Sequence, residues 1–265
     1  MTAMQKPELE RDDGKDGKPR PWRYILSAGR TGTMFLEAFL NTQCGNVIAV
    51  HEPSPTREQM MLANLRNDWG IGKRLLAWHF QKCRLRRDAS HSKTYVEINP
   101  FLCAMTDLLP DPARDLRIVH MVRDPASWAV SMTAFKASTK FRHVIDYVPF
   151  AKPYPSPRPK GWSRLPEIEK ALWRWTWCNS RIMKLKALTP HYCVVRYEDL
   201  FASGGARSAI LSDVVKTLDL DYAGTFDAAP FSERRNPAPG TVAPPSPEAV
   251  ARICGTLAKG LGYTL

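Results

Sequence analysis

Residues 22–33 read WRYILSAGRTGT, an apolar run followed by a short turn of glycine and threonine. The run at 22–27 has the length and composition of a buried strand, and Pro21 and Gly29 bound it. Residues 33–40 follow with apolar side chains at helical spacing. The segment therefore predicts a strand, a glycine turn and a helix in direct succession.

The turn in this segment is suited to bind an anion. Gly29 and Gly32 can adopt backbone angles that expose successive N–H groups, next to the positive end of the following helix. Arg30 adds a planar cation, and Thr31 and Thr33 add hydroxyl groups. The spacing differs from a Walker A loop, which needs four residues between its glycines and then Gly-Lys-Ser/Thr. The alternative interpretation is a helix start that a threonine side chain caps.

Strands and helices alternate along the rest of the chain. This order predicts an α/β fold of three layers, with a central, mainly parallel β-sheet flanked by helices. Ligands of such sheets bind at the carboxyl ends of the strands. The predicted strands are 22–27, 47–50, 94–98, 116–122 and 192–195, and the predicted helices are 33–40, 57–67, one starting at Pro100, 125–135, 167–188, 207–218 and 248–259.

A second anion-binding candidate follows the strand predicted at 116–122. Arg123 ends that strand, and Ser131 lies eight residues later, about two turns into the next helix. A guanidinium and a hydroxyl that converge from these two elements can hold one phosphate. The alternative is an ion pair between Arg123 and Asp124, with Ser131 facing solvent.

Together the two segments resemble the sulfotransferases that use 3′-phosphoadenosine 5′-phosphosulfate (PAPS). The likeness extends over roughly residues 22–200 and implies the P-loop-NTPase-like sulfotransferase fold. It also implies that Arg123 and Ser131 hold the 3′-phosphate of the donor. The 5′-phosphosulfate end is then held by the turn and the first helical residues, Gly29, Arg30, Thr31, Gly32, Thr33 and Met34.

Two later stretches add to the resemblance. Residues 196–200, RYEDL, are similar to a late strand end of the family, where we expect Glu198 and Asp199 to have a structural role. Arg234 and Arg235 resemble a C-terminal basic loop that closes over the 3′-phosphate. A solvated pair of arginines is the alternative for that loop.

The catalytic base is expected directly after the second strand. Glu52 is the first candidate and His51 the second, since members of the family carry either residue type there. Glu52 is preferred because a carboxylate desolvated beside a donor can act as a general base. The family lysine before a proline is absent, because Ile98 stands at its position. Its charge is therefore missing or comes from Arg30, with Asn99 as a second contributor.

We expect one sulfotransferase domain at 21–265 after a flexible tail at 1–20. Prolines deny regular structure to much of an insertion at 136–166, which is long enough to be a lid or binding loop on the acceptor side. Its aromatic and basic residues suit a sugar, a phenol or a lipid headgroup. The basic stretch 73–93 favours an anionic acceptor such as a glycan, unless it is only a solvated helix and loop.

The composition fits a globular enzyme with anionic ligands. Hydrophobic residues make up 44% and charged residues 24% of the 265 residues, and the formal net charge is +12. The six cysteines are scattered, so we expect reduced thiols and no metal site. The polar N-terminus lacks a signal-peptide core, and no run reaches the ~20 apolar residues of a membrane span, so a cytoplasmic protein is expected.

These observations predict in-line transfer of a sulfuryl group from PAPS to a hydroxyl or amine of a carbohydrate or other small molecule. A P-loop type of nucleotide kinase is the nearest alternative enzyme, although the Gly-Lys-Ser/Thr sequence is missing. A non-catalytic anion-binding module is the second alternative. Nucleic acid is not expected as a partner, because no nucleic-acid-binding motif is evident.

Overall fold

A computed structural model of the chain describes residues 19–135, 148, 152–202, 206–224 and 242–264. Most of the predicted tail at 1–20 and part of the insertion at 136–166 lie outside these residues. So do Arg234 and Arg235. All structural statements below concern the described residues.

The centre of the molecule is a parallel sheet of five strands in the order β3-β4-β1-β5-β6. A short antiparallel pair, β2 with β7, stands apart from this sheet and has no counterpart in the predicted strands. The predicted parallel α/β architecture is confirmed. The strands are β1 Trp22–Ser27, β2 Cys44–Gly45, β3 Val47–His51, β4 Thr94–Ile98, β5 Leu116–Val122, β6 His191–Arg196 and β7 Asp221–Tyr222.

Helices cover both faces of the sheet. The α-helices are α1 Thr33–Gln43, α2 Thr56–Trp69, α3 Lys73–Ser90, α4 Pro125–Thr133, α5 Glu167–Met183, α6 Tyr197–Phe201, α7 Ala206–Leu218 and α8 Pro247–Gly260. None of the described helices has the length and apolarity that crossing a bilayer requires.

Two predicted helices differ in detail. The helix that starts at Pro100 is a 3-10 helix, Pro100–Leu108, and it is interrupted at Met105, whose φ of −140° is not helical. The helix predicted at 167–188 ends as an α-helix at Met183 and continues as a 3-10 turn, Lys184–Ala187. Neither change moves the elements that follow a strand at the carboxyl edge.

Alternating side chains of β1 fill two separate cores. Tyr24 and Leu26 pack on one face with α4, α5 and α8, while Ile25 packs on the other face with α1 and α7. All three side chains are buried to 98% or more. A strand that is buried on both faces reads as a continuous apolar run, which is why the sequence predicted this one clearly.

The strand order places a topological switch point between β1 and β5. After β1 the chain passes through α1 to β3 on one side of the sheet, and after β5 it passes through α4 and α5 to β6 on the other side. Open α/β sheets bind ligands at such a crevice, beyond the carboxyl ends of the strands. The loop after β1 and the segment after β5 therefore border the expected site.

Candidate active site

The loop after β1 has the backbone shape that its glycines allow. Gly29 and Gly32 have φ values of 85° and 82°, and Arg30 between them has a φ of 56°. The Ser27 Oγ accepts a hydrogen bond from the Gly29 N–H at 3.0 Å. The Trp128 indole, from α4, donates to the Gly29 carbonyl at 2.6 Å. Hydrogen bonds from β1 and from α4 thus hold the loop in place.

Gly32 is required by space as well as by its φ. A Cβ at this position would lie 2.6 Å from the Phe201 ring and 3.3 Å from the Tyr197 ring. Gly32 is also the N-cap residue of α1, and no side chain caps this helix. The alternative of a threonine cap is therefore wrong. Because no side chain caps it, the positive end of α1 can face an anion.

Thr31 carries a polar atom without a partner. The residue is only 1% exposed, and its Oγ1 makes no hydrogen bond to any described residue. A buried hydroxyl of this kind normally finds a partner, so its isolation needs an explanation. A ligand oxygen at the loop would supply the missing hydrogen bond.

Arg123 lies against the glycine loop. Its Nη1 donates to the Arg30 carbonyl at 3.3 Å, and its Nε donates to the Ser127 Oγ at 3.2 Å. Its guanidinium carbon stands 4.5 Å from the centre of the Tyr197 ring. The predicted alternative, a pair with Asp124, does not occur, because that carboxylate accepts from the Ser127 N–H and caps α4. The two anion-binding candidates thus meet at one edge of the sheet.

Arg30 and Ser131 join the same group. The Arg30 Nε lies 3.5 Å from the Ser131 Oγ, at the limit of a hydrogen bond. Its guanidinium carbon is 4.8 Å from the centre of the Phe135 ring. Ser131 is buried at 7% exposure, so it does not face solvent. Two guanidinium groups and one hydroxyl consequently border the crevice between β1 and β5.

His51 and Glu52 extend this edge beyond β3. The His51 Nε2 lies 3.0 Å from the Thr33 Oγ1, at the first residue of α1. Glu52 follows with a φ of 48°, in the left-handed region that few non-glycine residues adopt. Its half-buried carboxylate makes no ion pair or hydrogen bond to a described residue. His51 thus lies against the start of α1, and none of the described residues engages the Glu52 carboxylate.

The end of β4 has a structural role. Ile98 is fully buried in the core, and the Asn99 side chain donates to the Thr56 Oγ1 at 2.9 Å and to a Glu97 oxygen at 2.7 Å. Burial raises the pKa of the Glu97 carboxyl, although the Arg87 guanidinium 2.8 Å away opposes this effect. Both donors of the Asn99 amide are occupied, so its predicted contribution beside Arg30 is wrong.

The carboxylates of α6 brace the fold, as the sequence suggested. Glu198 accepts from the Asp124 N–H at 2.9 Å and from the Tyr263 hydroxyl at 3.0 Å. Asp199 forms an ion pair with Arg196 at 2.6 Å. Glu198 therefore fixes the start of α4, which carries Ser131.

Four residues of this site escaped the sequence analysis, namely Ser127, Trp128, Tyr197 and Phe201. Ser127 follows Asp124 by three residues, which is the spacing of a helix cap, and this signal was available. The three aromatic residues contact the loop from α4 and α6, and such contacts between distant segments leave no local pattern. Within the described residues, no group of three side chains that could hold a metal ion occurs.

Comparisons with known proteins give matches at the level of structure. No protein-family model matches the chain, and no curated protein matches its sequence. The sulfotransferase domain from the curacin biosynthetic pathway aligns with 91% of this chain and 98% of its own, at 13% identity and a TM-score of 0.52.

Two further solved structures have TM-scores of 0.46, too low to support an argument. They are the sulfotransferase domain of a Synechococcus olefin synthase, at 16% identity over 97% of this chain, and a sulfotransferase of Mycobacterium tuberculosis, at 17% identity over 76%. The alignments cover 98% of the olefin synthase domain and 68% of the Mycobacterium tuberculosis chain. The alignment with the curacin domain shows a shared architecture, and the chain therefore has the P-loop-like α/β fold of the sulfotransferases.

Proposed function

We propose that the chain transfers a sulfuryl group from PAPS to a hydroxyl or amine of a carbohydrate or other small molecule. The contact of the Arg123 guanidinium with the Arg30 carbonyl at 3.3 Å carries this proposal. It joins two cationic segments at the switch point, one for each phosphate-bearing end of the donor. The fold shared with a sulfotransferase domain supports the same activity.

The residues of the loop fit a phosphosulfate. The uncapped start of α1 and the isolated Thr31 hydroxyl offer donors to an anion. The rings of Phe201 and Tyr197 pack closely against the loop backbone at Gly32. The 5′ end of PAPS is assigned to this loop, with Thr33 and Met34 at the start of the helix. The 3′-phosphate is assigned to Arg123 and Ser131. Arg234 and Arg235 remain a prediction for the same phosphate, since they lie outside the described residues.

The reaction is an in-line displacement at sulfur. The acceptor oxygen forms a bond to sulfur while the bond from sulfur to the phosphate oxygen breaks, and adenosine 3′,5′-bisphosphate leaves. The Arg30 guanidinium stabilises the charge on the transferred group and on the leaving phosphate, because no cation stands at Ile98. A metal ion is not required if this cation and the backbone N–H groups neutralise the charge.

Glu52 is proposed to take the proton of the acceptor. Its carboxylate is not engaged by another described residue, and its unusual φ of 48° is of the kind that clusters at functional sites. The His51 ring is already bonded to Thr33 at 3.0 Å, which suits a positioning role. His51 remains the second candidate for the base.

Titration calorimetry with nucleotides tests the donor site. Adenosine 3′,5′-bisphosphate should bind one site per chain, and adenosine 5′-monophosphate should bind at least tenfold more weakly because it lacks the 3′-phosphate. Release of the bisphosphate from PAPS should then be followed by chromatography with panels of sugars, phenols and amines. Equal affinity for the two nucleotides, or binding of magnesium ATP alone, contradicts the proposal.

A further inference from the structure

An exposed apolar surface lies on α2, α3 and the turn between them. Nine large apolar side chains of the described residues are more than a third exposed, and five of these fall between residues 61 and 78. The exposed fractions of four of them exceed one half. We call this surface the hairpin patch; its residues are Met61 37%, Trp69 56%, Ile71 57%, Leu75 53% and Trp78 57%.

The turn of the hairpin patch is open to solvent. Gly70 and Gly72, with φ values of 70° and 75°, reverse the chain between α2 and α3, and a Cβ on either would meet no atom within 4 Å. The side chains of Trp69 and Ile71 alternate with these glycines. On α3, Leu75 and Trp78 are three residues apart and lie on one face of the helix. Apolar side chains on an open turn can enter the headgroup layer of a bilayer.

Positive charge surrounds the hairpin patch. Lys73 and Arg74 are exposed directly after the turn, and the Lys82 ammonium stands 4.8 Å from the centre of the Trp78 ring. Residues 56–90 carry eight lysines and arginines against three acidic residues, and five of the eight remain after the buried Arg84 and the paired Arg66 and Arg87 are set aside. Two of these carboxylates are already neutralised, since Asp68 pairs with Arg158 at 3.0 Å and Asp88 with Arg114 at 2.6 Å.

We propose that the hairpin patch docks the protein on an anionic lipid surface. Tryptophan and aliphatic side chains beside lysine and arginine are the composition of surfaces that lie in the headgroup region of a bilayer. A second copy of the chain is disfavoured as the occupant, because two patches of the same positive charge would repel each other. The proposal goes beyond the transferase activity, and its test does not use that activity.

Co-sedimentation with vesicles tests the docking. The wild-type chain should partition at least tenfold more strongly onto vesicles of 70% phosphatidylcholine and 30% phosphatidylserine than onto phosphatidylcholine alone. Sodium chloride at 0.5 M should weaken the partition several-fold. Failure of the wild type to bind the anionic vesicles, or equal binding to both vesicle types, overturns the proposal.

Variants locate the contact. Trp69→Ser with Ile71→Ser should reduce the partition coefficient about tenfold or more, because these side chains leave water on docking. Lys73→Glu with Arg74→Glu should reduce it comparably and leaves the apolar residues in place. Leu188→Ser is the matched control, since Leu188 is 60% exposed outside the patch and its loss should change nothing.

Two results of the variant series refute the assignment. One is equal vesicle binding by the wild type and both patch variants, with circular dichroism showing that all chains are folded. The other is a wild-type dimer, detected by light scattering, that the patch substitutions abolish, because this would make a second copy the occupant.

Discussion

Replacing Gly32 by alanine tests how the loop and α6 fit together. Two costs add in this variant. Alanine at a φ of 82° costs about 1–2 kcal/mol. A Cβ at 2.6 Å from the Phe201 ring must displace that ring or the loop, and overpacking of this kind costs about 1–3 kcal/mol. The free energy of unfolding should therefore fall by about 2–5 kcal/mol.

Gly161→Ala is the matched control for this substitution. Gly161 is also the N-cap residue of a helix, with a φ of 74°, but a Cβ there would meet no atom within 4 Å. Only the cost of the backbone angle applies, so the expected loss is about 1–2 kcal/mol. The difference between the two variants measures the crowding at Gly32.

Urea unfolding at pH 7, followed by circular dichroism, gives both free energies. Calorimetry with adenosine 3′,5′-bisphosphate should in addition show weaker binding by Gly32→Ala and unchanged binding by Gly161→Ala. The reasoning is refuted if Gly32→Ala is no more destabilising than the control. In that case crowding by Phe201 does not change the free energy of unfolding, and the shape of the loop depends on the glycine backbone alone.

Three further perturbations separate binding, chemistry and stability. Arg123→Ala should weaken binding of adenosine 3′,5′-bisphosphate by about 2 kcal/mol, or ~30-fold, in calorimetry, and an unchanged affinity removes Arg123 from the donor site. Glu52→Gln should lower turnover at saturating substrate by about 10²-fold or more, while His51→Ala lowers it less; the opposite order makes His51 the base. Burial lowers the pKa of His120 from 6.5 to about 4, so the wild type should lose about 2 kcal/mol of stability in urea between pH 7 and pH 5, and His120→Gln should lack this loss.

The sign of the last effect follows from the burial of the neutral His120 ring. The neutral ring is buried between the Tyr192 hydroxyl at 2.7 Å and the Asn179 side-chain oxygen at 2.9 Å. Its folded-state pKa lies below the unfolded value, although the hydrogen bond to Asn179 opposes the shift. The stabilisation is therefore complete above pH 6.5 and is lost as the pH falls toward 4. A flat profile in the wild type would contradict the lowered pKa of His120.

The local patterns of the chain predicted most of the fold. The apolar run of β1 and its glycine turn determine a strand, a loop and a helix within a few residues. Arg123 was recognised because it ends an equally clear strand. Such features depend on neighbours in sequence, and hydrophobic periodicity records them directly.

The parts that the sequence did not predict depend on contacts between distant segments. The rings of Tyr197 and Phe201 leave no space for a side chain at Gly32. The sequence around residue 32 does not reveal that these rings lie there. The sequence around Asn99 gives no sign that both N–H groups of its amide donate to Thr56 and Glu97 and so cannot assist Arg30. The interruption of the helix after Pro100 at Met105 likewise has no counterpart in the local sequence pattern.

The pairing of β1 with β5 has a consequence for how the protein acquires its site. This ladder sets Trp22 opposite Leu116 and Ser27 opposite Met121. Residues 28–115 must therefore form a loop before the two strands can pair. Non-local pairing of this kind slows folding, because the loop must lose conformational entropy before the contacts between the strands stabilise it. During synthesis the glycine turn emerges before Arg123, so a nascent fragment that ends before β5 lacks one half of the proposed donor site.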